Sequence, residues 1–217
     1  PDVHLPVGVF VDGFFVTHTK EEVLLPSADC VLPPYNAGLS PVPVFDMETP
    51  PMRITRDPLL NKSNFISGSA NASWHQEILA AAERSRKHIE RFMGGLLEIE
   101  NPDAKIMLVA SGTAVSQSRE ALRLLQSEGI EAGLIKIRSI RPFPAEAVSA
   151  ALETAEVIVV PEFNAGGWLA REVKATLDRN SRVFGGPRVF GGMSMPPGLI
   201  VDAVHNAMQS NTCRTGV

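Results

Sequence analysis

The sequence predicts an α/β fold in which a mostly parallel sheet is covered by helices on both faces. Two observations support this prediction. From residue 105 onward, short segments rich in Val, Ile and Leu alternate with helical segments, and glycine-containing turns separate them. Strands that are apolar on both faces are typical of a parallel sheet buried between two helix layers.

The alternation predicts seven elements after the middle of the chain. They are the strand Lys105–Ala110, the helix Val115–Ser127, the strand Gly133–Arg138, the helix Ala145–Glu153, the strand Val157–Val160, a helix from Gly166-Gly167 through Leu177, and a last helix from about Pro197 to Met208. Two glycine-rich pieces between the last two helices, Gly185-Gly186-Pro187 and Gly191-Gly192, are interpreted as turns.

A long helix leads this domain. It is predicted to begin at Ser73, where Gln76 three residues later is placed as in a capping box, and to end at Gly94-Gly95. Apolar residues recur along it at spacings of three and four, and the opposite face is charged. We therefore assign residues 73–217, including this helix, to one α/β domain.

The first third of the chain has a different character. Residues 1–25 contain a strand-like apolar run interrupted by Asp12-Gly13, and one strand without a partner is not a domain. Residues 26–72 are rich in proline, which predicts an extended connector or a wrapping arm. The sequence begins at Pro1 and enters a strand at once, so we expect it to be the later portion of a longer protein.

Composition excludes several classes of protein. The chain has 217 residues, of which 44% are hydrophobic, and a net charge of −4, which argues against nucleic-acid binding. Only Cys30 and Cys213 are present, too few for the four thiolates of an iron–sulfur cluster or a structural zinc site. No apolar run approaches the length of a membrane span, and the low cysteine content favours the cytoplasm.

Two motifs at strand ends are candidates for chemistry. Ser111-Gly112-Thr113 fits either a ligand cradle at a helix N-terminus or a tight turn with a capping hydroxyl. The sequence lacks a dinucleotide or P-loop glycine motif, which favours the turn. Glu162 and Asn164 follow the strand Val157–Val160. They fit either acid–base chemistry or capping of the next helix, and the absence of a partner nucleophile or metal ligand nearby favours capping.

The remaining polar candidates are weaker. The five histidines show no metal-ligand spacing, and His18, flanked by two threonines, is interpreted as a polar residue in a turn. Arg138 and Arg141 bracket a Pro-rich loop, where they suit either a bound anion or ion pairs at the rim of the sheet. From these patterns we predict no catalytic, cofactor-binding or metal-binding residue in this chain.

Two blocks of sequence together resemble the α subunit of pyruvate:ferredoxin oxidoreductases. The first runs from Leu5 to Thr19 and includes Asp12-Gly13-Phe14 and Thr17-His18-Thr19; it is similar to the end of that subunit's N-terminal domain. The second contains Ser111-Gly112-Thr113, Arg141-Pro142-Phe143-Pro144 and the run from Glu162 to Gly167. It is similar to the transketolase C-terminal-like domain that follows. Pro161 and Trp168 depart from the family's usual pattern.

The resemblance implies the function of a larger enzyme. That enzyme is most like the pyruvate type. It converts a 2-oxoacid to an acyl-CoA and CO2 and reduces ferredoxin, and its cofactors are thiamine diphosphate, magnesium and [4Fe-4S] clusters. Its other subunits are a thiamine-binding β, a γ and a ferredoxin-like δ. In this scheme residues 1–25 end a thiamine-enzyme domain, and this segment acts mainly as a scaffold and subunit interface.

Alternatives stay open at this stage. They are the C-terminal domain of another thiamine-dependent enzyme, either transketolase-like or a 2-oxoacid dehydrogenase β subunit, and a stand-alone α/β ligand-binding module. Enzymes of the family that use oxalate, 2-oxoglutarate or branched 2-oxoacids also remain open, because the substrate-selecting residues are expected outside this chain.

Overall fold

A computed structural model describes the second half of the chain almost continuously. The described residues are 8–9, 11, 13, 17–18, 20, 22–25, 27, 69–92, 94–177 and 182–215, without the side chains at 69–78, 92 and 212–215. Most of the predicted N-terminal strand and of the Pro-rich connector lies outside these ranges, so both stay predictions. The chain divides into two compact units, one holding the long helix and the other the sheet with the remaining helices.

The sheet unit alternates strands and helices as predicted. Its elements, in chain order, are β1 (Leu97–Glu100), β2 (Ile106–Ala110), α2 (Ala114–Ser127), β3 (Ala132–Ile137), α3 (Ala145–Ala151), β4 (Val157–Glu162), α4 (Trp168–Thr176), β5 (Val183–Arg188) and α5 (Pro197–Thr215). None of the helices in the described ranges combines the length and the apolar character that a membrane span requires.

The five strands form one sheet in the order β1-β3-β2-β4-β5. β3, β2, β4 and β5 are parallel, and β1 adds an antiparallel edge, with Leu97 opposite Ile137. The chain passes from β2 to β3 on one side and then returns across β2 to β4. Neighbouring connections therefore leave in opposite directions from the carboxyl ends of β2 and β4, which is where crevices open in such sheets.

Helices cover both faces of the sheet, and the strand residues alternate between two apolar cores. Leu108 and Val159 face α2 and α5, whereas Val109 and Val160 face α3 and α4. All five residues of β2 and all six of β4 are buried. The predicted fold class is therefore confirmed, because burial on both faces explains why these strands read as continuous apolar runs.

Two strands of the sheet, β1 and β5, are not predicted from the sequence. β1 is only four residues long and alternates with charge, so it lacks the apolar signal of the buried strands. The interpretation of Gly185-Gly186-Pro187 as a turn is wrong, because these residues lie within β5. A β-carbon at Gly186 would overlap the carbonyl of Val160, so glycine is needed for β5 to pair closely with β4. Proline is tolerated there because β5 is an edge strand.

The long helix, α1, forms part of the other unit and spans Ser69–Phe92. It begins four residues before the predicted start, because residues 69–72 (Ser-Ala-Asn-Ala) hold no proline or glycine to stop a helix. The side chains of the predicted capping box lie outside those described. Along its charged face Arg86 pairs with Glu83 at 2.6 Å and with Glu90 at 2.7 Å.

Candidate functional site

A crevice of about 460 Å³ opens at the carboxyl ends of the parallel strands. Its walls come from the turn after β2 (residues 111–113), the loop after β3 (140–143), the end of β4 with its turn (161–164), and the first turns of α4, and Val11 of the N-terminal segment also lines it. We call this space the carboxyl-edge crevice. It brings together both motifs that the sequence singled out, as the parallel topology requires.

Glu162 is the most buried charged group in this crevice. It is 4% exposed, and its carboxylate accepts hydrogen bonds from the backbone N–H of Leu169 at 2.7 Å and of Ala170 at 3.1 Å. These two amides belong to the first turn of α4, where backbone donors have no partner within the helix. Glu162 therefore caps α4 from the preceding strand, and the negative charge also suits the positive end of the helix dipole.

Asn164 completes this cap. Its side-chain oxygen accepts from the N–H of Gly167 at 2.7 Å and of Trp168 at 3.4 Å, while its Nδ2 donates to Glu162 at 2.8 Å. The predicted capping role of the pair is confirmed. The two side chains hold each other and four consecutive backbone donors, so the turn between β4 and α4 has one defined shape.

Gly167 and its neighbours form the rim of the crevice. Gly167 has φ 63° and ψ 48°, a left-handed conformation that suits glycine. A β-carbon at this position would lie 3.0 Å from the guanidinium carbon of Arg188, so the arginine packs directly over the glycine. A β-carbon at Gly166 would overlap the indole of Trp168, yet the other side of Trp168 is open, and the residue is 68% exposed.

The Ser111-Gly112-Thr113 motif forms the turn that leads into α2. Gly112 has φ 57°, and Val115 N donates to Gly112 O at 3.1 Å, which closes the turn. Thr113 occupies the N-cap position with helical dihedral angles, and its side chain makes no capping hydrogen bond. The tight turn is confirmed, but Thr113 does not supply the expected Ser or Thr cap, because its backbone already follows the helix.

The two arginines that bracket the Pro-rich loop both form ion pairs. Arg141 bridges to Glu172 of α4 at 2.5 Å across the crevice mouth, and Arg138 bonds Glu98 of β1 at 2.7 Å. The ion-pair interpretation is therefore confirmed for both residues. Between them, Ser139 Oγ donates to the carbonyl of Pro142 at 2.9 Å and closes the loop.

Glu98 is the centre of a charged cluster beside the end of β3. Its carboxylate also contacts Lys136 at 3.1 Å and Arg119 of α2 at 2.6 Å. The hydrogen bonds from Arg138 and then from Lys136 lower the pKa of Glu98 from 4.5 to about 2. This cluster ties the antiparallel edge strand to β3 and to α2. It had no signal in the sequence, because its members are up to 40 residues apart.

None of the histidines whose side chains are described lines this crevice. His18 lies in a turn, with its Nδ1 3.1 Å from Thr17 Oγ1, and Thr17 also bonds the carbonyl of Gly13 at 2.7 Å. His205 pairs with Glu128 at 2.8 Å at the opposite end of the sheet. Within the described ranges there is no group of three His, Cys, Asp or Glu side chains placed to hold a metal ion.

Comparison with known proteins shows which protein family this domain resembles. Residues 104–197, which contain the four parallel strands and the loops of the crevice that follow β2, β3 and β4, match the family "pyruvate:ferredoxin oxidoreductase core domain II". Subunit PorA of the pyruvate synthase of Methanothermobacter thermautotrophicus is 33% identical over 94% of this chain and 54% of its own length. Residues 104–197 form a domain of the pyruvate:ferredoxin oxidoreductase family. The resemblance seen in the sequence is confirmed.

Two proteins named for 2-oxoglutarate are similar over shorter stretches. Subunit KorA of the 2-oxoglutarate synthase of Archaeoglobus fulgidus is 32% identical over 44% of this chain and 26% of the subunit. Among solved structures, a 2-oxoglutarate:ferredoxin oxidoreductase from Magnetococcus marinus aligns over 60% of this chain and 24% of its own, with 23% identity and a TM-score of 0.47. The chain spans about half the length of PorA.

The cofactors expected for such an oxidoreductase find no ligand set in the described residues. Magnesium prefers carboxylate and other oxygen ligands, but the carboxylate of Glu162 is occupied by backbone donors and that of Glu172 by Arg141. The two cysteines of the whole sequence cannot ligate an iron–sulfur cluster. We therefore derive no chemical step through these groups from this part of the chain.

Proposed function

We propose that this chain is part of the α subunit of a 2-oxoacid:ferredoxin oxidoreductase, most like the pyruvate type. The observation that carries the proposal is the similarity to PorA, which extends over 94% of this chain. The complete enzyme would convert a 2-oxoacid to an acyl-CoA and CO2 in the cytoplasm while reducing ferredoxin. Thiamine diphosphate, magnesium and [4Fe-4S] clusters would be held by its other parts.

Within this enzyme, we assign to the present segment the role of a scaffold and subunit interface. The charged and amide side chains of the crevice support this role, because they form hydrogen bonds and ion pairs with other groups of the same domain. Glu162 and Asn164 cap α4, and Arg141 pairs with Glu172. The domain limits at residues 25 and 72, and a thiamine-enzyme origin for residues 1–25, are part of the same proposal, as are the β, γ and ferredoxin-like δ partners.

Co-expression with the other encoded subunits tests the proposal. The purified assembly is assayed for CoA-dependent reduction of ferredoxin with pyruvate, 2-oxoglutarate and a branched 2-oxoacid in parallel, and the isolated chain is assayed for CO2 release with added thiamine diphosphate and magnesium. We expect turnover only in the assembly, fastest with pyruvate. Decarboxylation by the isolated chain would contradict the scaffold role, and failure to assemble would contradict the enzyme assignment.

A variant of Glu162 separates a structural role from a catalytic one. If Glu162 only caps α4, then Glu162→Gln lowers the yield or thermal stability of the assembly and leaves the turnover of the folded fraction unchanged. A turnover that falls by about 100-fold or more in a fully folded assembly would identify Glu162 as an acid or base instead.

A further inference from the structure

Four large apolar side chains are exposed along the carboxyl edge of the sheet. They follow the parallel strands β3, β4 and β5 along the chain. Their exposed fractions are 50% for Ile140, 68% for Trp168, 63% for Phe190 and 68% for Met193. Single exposed apolar residues are normal, but a group of them on one surface marks an interaction site. The described loops at the other edge of the sheet, residues 102–105, 128–131 and 152–156, expose no large apolar side chain.

Ile140, Trp168 and Phe190 belong to one surface, and Met193 follows Phe190 in the same loop. Ile140 and Trp168 line the same carboxyl-edge crevice from opposite loops. The loop that carries Phe190 is attached beside it, because Val189 N donates to Glu162 O at 3.0 Å. A partner that covers this edge can therefore insert an apolar side chain into the crevice and cover Phe190 at the same time.

The charge on this surface is positive. Arg188 is exposed beside Trp168, where its guanidinium covers Gly167, and Arg171 is exposed one helical turn further along α4. No salt bridge between described residues includes either arginine. The nearby carboxylates are engaged, Glu162 in the cap and Glu172 with Arg141. Complementarity therefore requires acidic groups on whatever binds here.

We propose that this carboxyl-edge surface, formed by Ile140, Trp168, Phe190, Met193, Arg171 and Arg188, docks an acidic segment of another subunit of the oxidoreductase. An apolar side chain of that segment enters the crevice against Trp168, and its carboxylates bind the two arginines. The inference rests on the proposed function and adds to it the surface and the chemistry of the partner. Exposed aromatic and arginine side chains are the residue types enriched at such interfaces.

Trp168 provides a direct probe of this surface. The sequence contains two tryptophans, so Trp74→Phe leaves Trp168 as the only one. Acrylamide quenching of its fluorescence is measured in the isolated chain and in the assembly with the other encoded subunits. We expect strong quenching in the isolated chain, and quenching severalfold weaker with a blue-shifted emission in the assembly.

Charge reversal tests the electrostatic half of the proposal. We expect Arg188→Glu with Arg171→Glu to weaken binding of the chain to the other subunits by about tenfold or more, and the loss to shrink as salt is raised. Arg123→Glu is the matched control, because Arg123 has a 75% exposed side chain on α2 and only a pairing with Glu120 within its own helix. The control variant should bind as the unmodified chain does.

The outcomes separate this inference from the proposed function. An assembly that forms and is active, but in which Trp168 stays quenchable and charge reversal has no effect, overturns the docking surface alone. Absence of any assembly overturns both proposals. Shielding of Trp168 in the isolated chain, together with a dimeric mass, would overturn the acidic partner and identify a second copy as the occupant.

Discussion

The two edges of the parallel sheet differ in how they use their carboxylates. At the carboxyl edge, Glu98 and Glu162 are surrounded by donors of the fold, so this edge presents arginines and apolar side chains to solvent. At the amino edge, Asp103, Glu131 and Glu153 are exposed on the turns that enter the strands. The same strands thus end in a surface suited to a partner on one side and in a solvated surface on the other.

The difference follows from strand direction. Helices that follow parallel strands begin at the carboxyl edge, where their first backbone N–H groups need acceptors and favour negative charge. Glu162, at the end of β4, accepts hydrogen bonds from two of these N–H groups. At the amino edge the helices end and the next strands begin, so Asp103, Glu131 and Glu153 have no helix N-terminus to cap and are exposed to water.

The largest predicted effect is the loss of the Glu162 cap. Glu162→Ala leaves the N–H groups of Leu169 and Ala170 buried without acceptors, and we expect it to lower the free energy of unfolding by about 2–4 kcal/mol. Denaturant titration of the isolated chain measures this loss. Glu153→Ala, which removes an exposed carboxylate at the amino edge, should change the free energy of unfolding by less than about 0.5 kcal/mol. Similar losses in the two variants would refute the contrast between the edges.

The second prediction concerns pH and the Glu98 cluster. Because Arg138 and Lys136 lower the pKa of Glu98 from 4.5 to about 2, its contribution to stability is present above pH 4.5 and is lost as pH falls towards 2. Glu98→Gln should cost about 1–2 kcal/mol at pH 7 after allowance for solvent screening, and the cost should shrink through that window. Thermal unfolding from pH 7 to pH 2 measures it, and a difference that stays constant with pH would contradict the cause given.

A pair of glycines extends the comparison to the backbone. Gly167 at the carboxyl edge and Gly129 at the amino edge both have positive φ, 63° and 79°, but open space surrounds Gly129, whereas Arg188 lies over Gly167. Gly129→Ala should cost about 1 kcal/mol and Gly167→Ala about 1–2 kcal/mol in the free energy of unfolding. Adding Arg188→Ala to each variant tests whether the larger loss of Gly167→Ala comes from contact with Arg188. It should recover part of the loss at Gly167 and none at Gly129.

The fold was predictable because its strongest signals are local. The buried strands β2, β3 and β4 and the helices between them follow from apolar runs and from glycines such as Gly129. β5 was missed because Gly186 and Pro187 have low strand propensity. Glycine is nevertheless required there by the carbonyl of Val160, a contact with a strand more than 20 residues earlier. A requirement set by a distant backbone atom leaves no periodicity in the sequence.

The site was predictable only where its contacts are close in sequence. Glu162 and Asn164 cap a helix that starts within six residues, and the pair could be interpreted from spacing alone. Arg188 of the next strand lies over Gly167, and Glu98 forms ion pairs with basic side chains of β3 and α2. Those contacts depend on strand order. Trp168 was noticed only as a departure from the family pattern, because exposure cannot be read from residue type.

Trp168 carries the smallest effect on stability among the predictions for the carboxyl edge. Burying a tryptophan usually makes its replacement by alanine cost about 3–5 kcal/mol. Trp168 is 68% exposed, so Trp168→Ala should change the free energy of unfolding of the isolated chain by less than about 1 kcal/mol. Equilibrium denaturation followed by circular dichroism measures this. A loss near the buried value would show that the indole packs as part of the core, and a near-neutral result would leave its apolar area available for a partner.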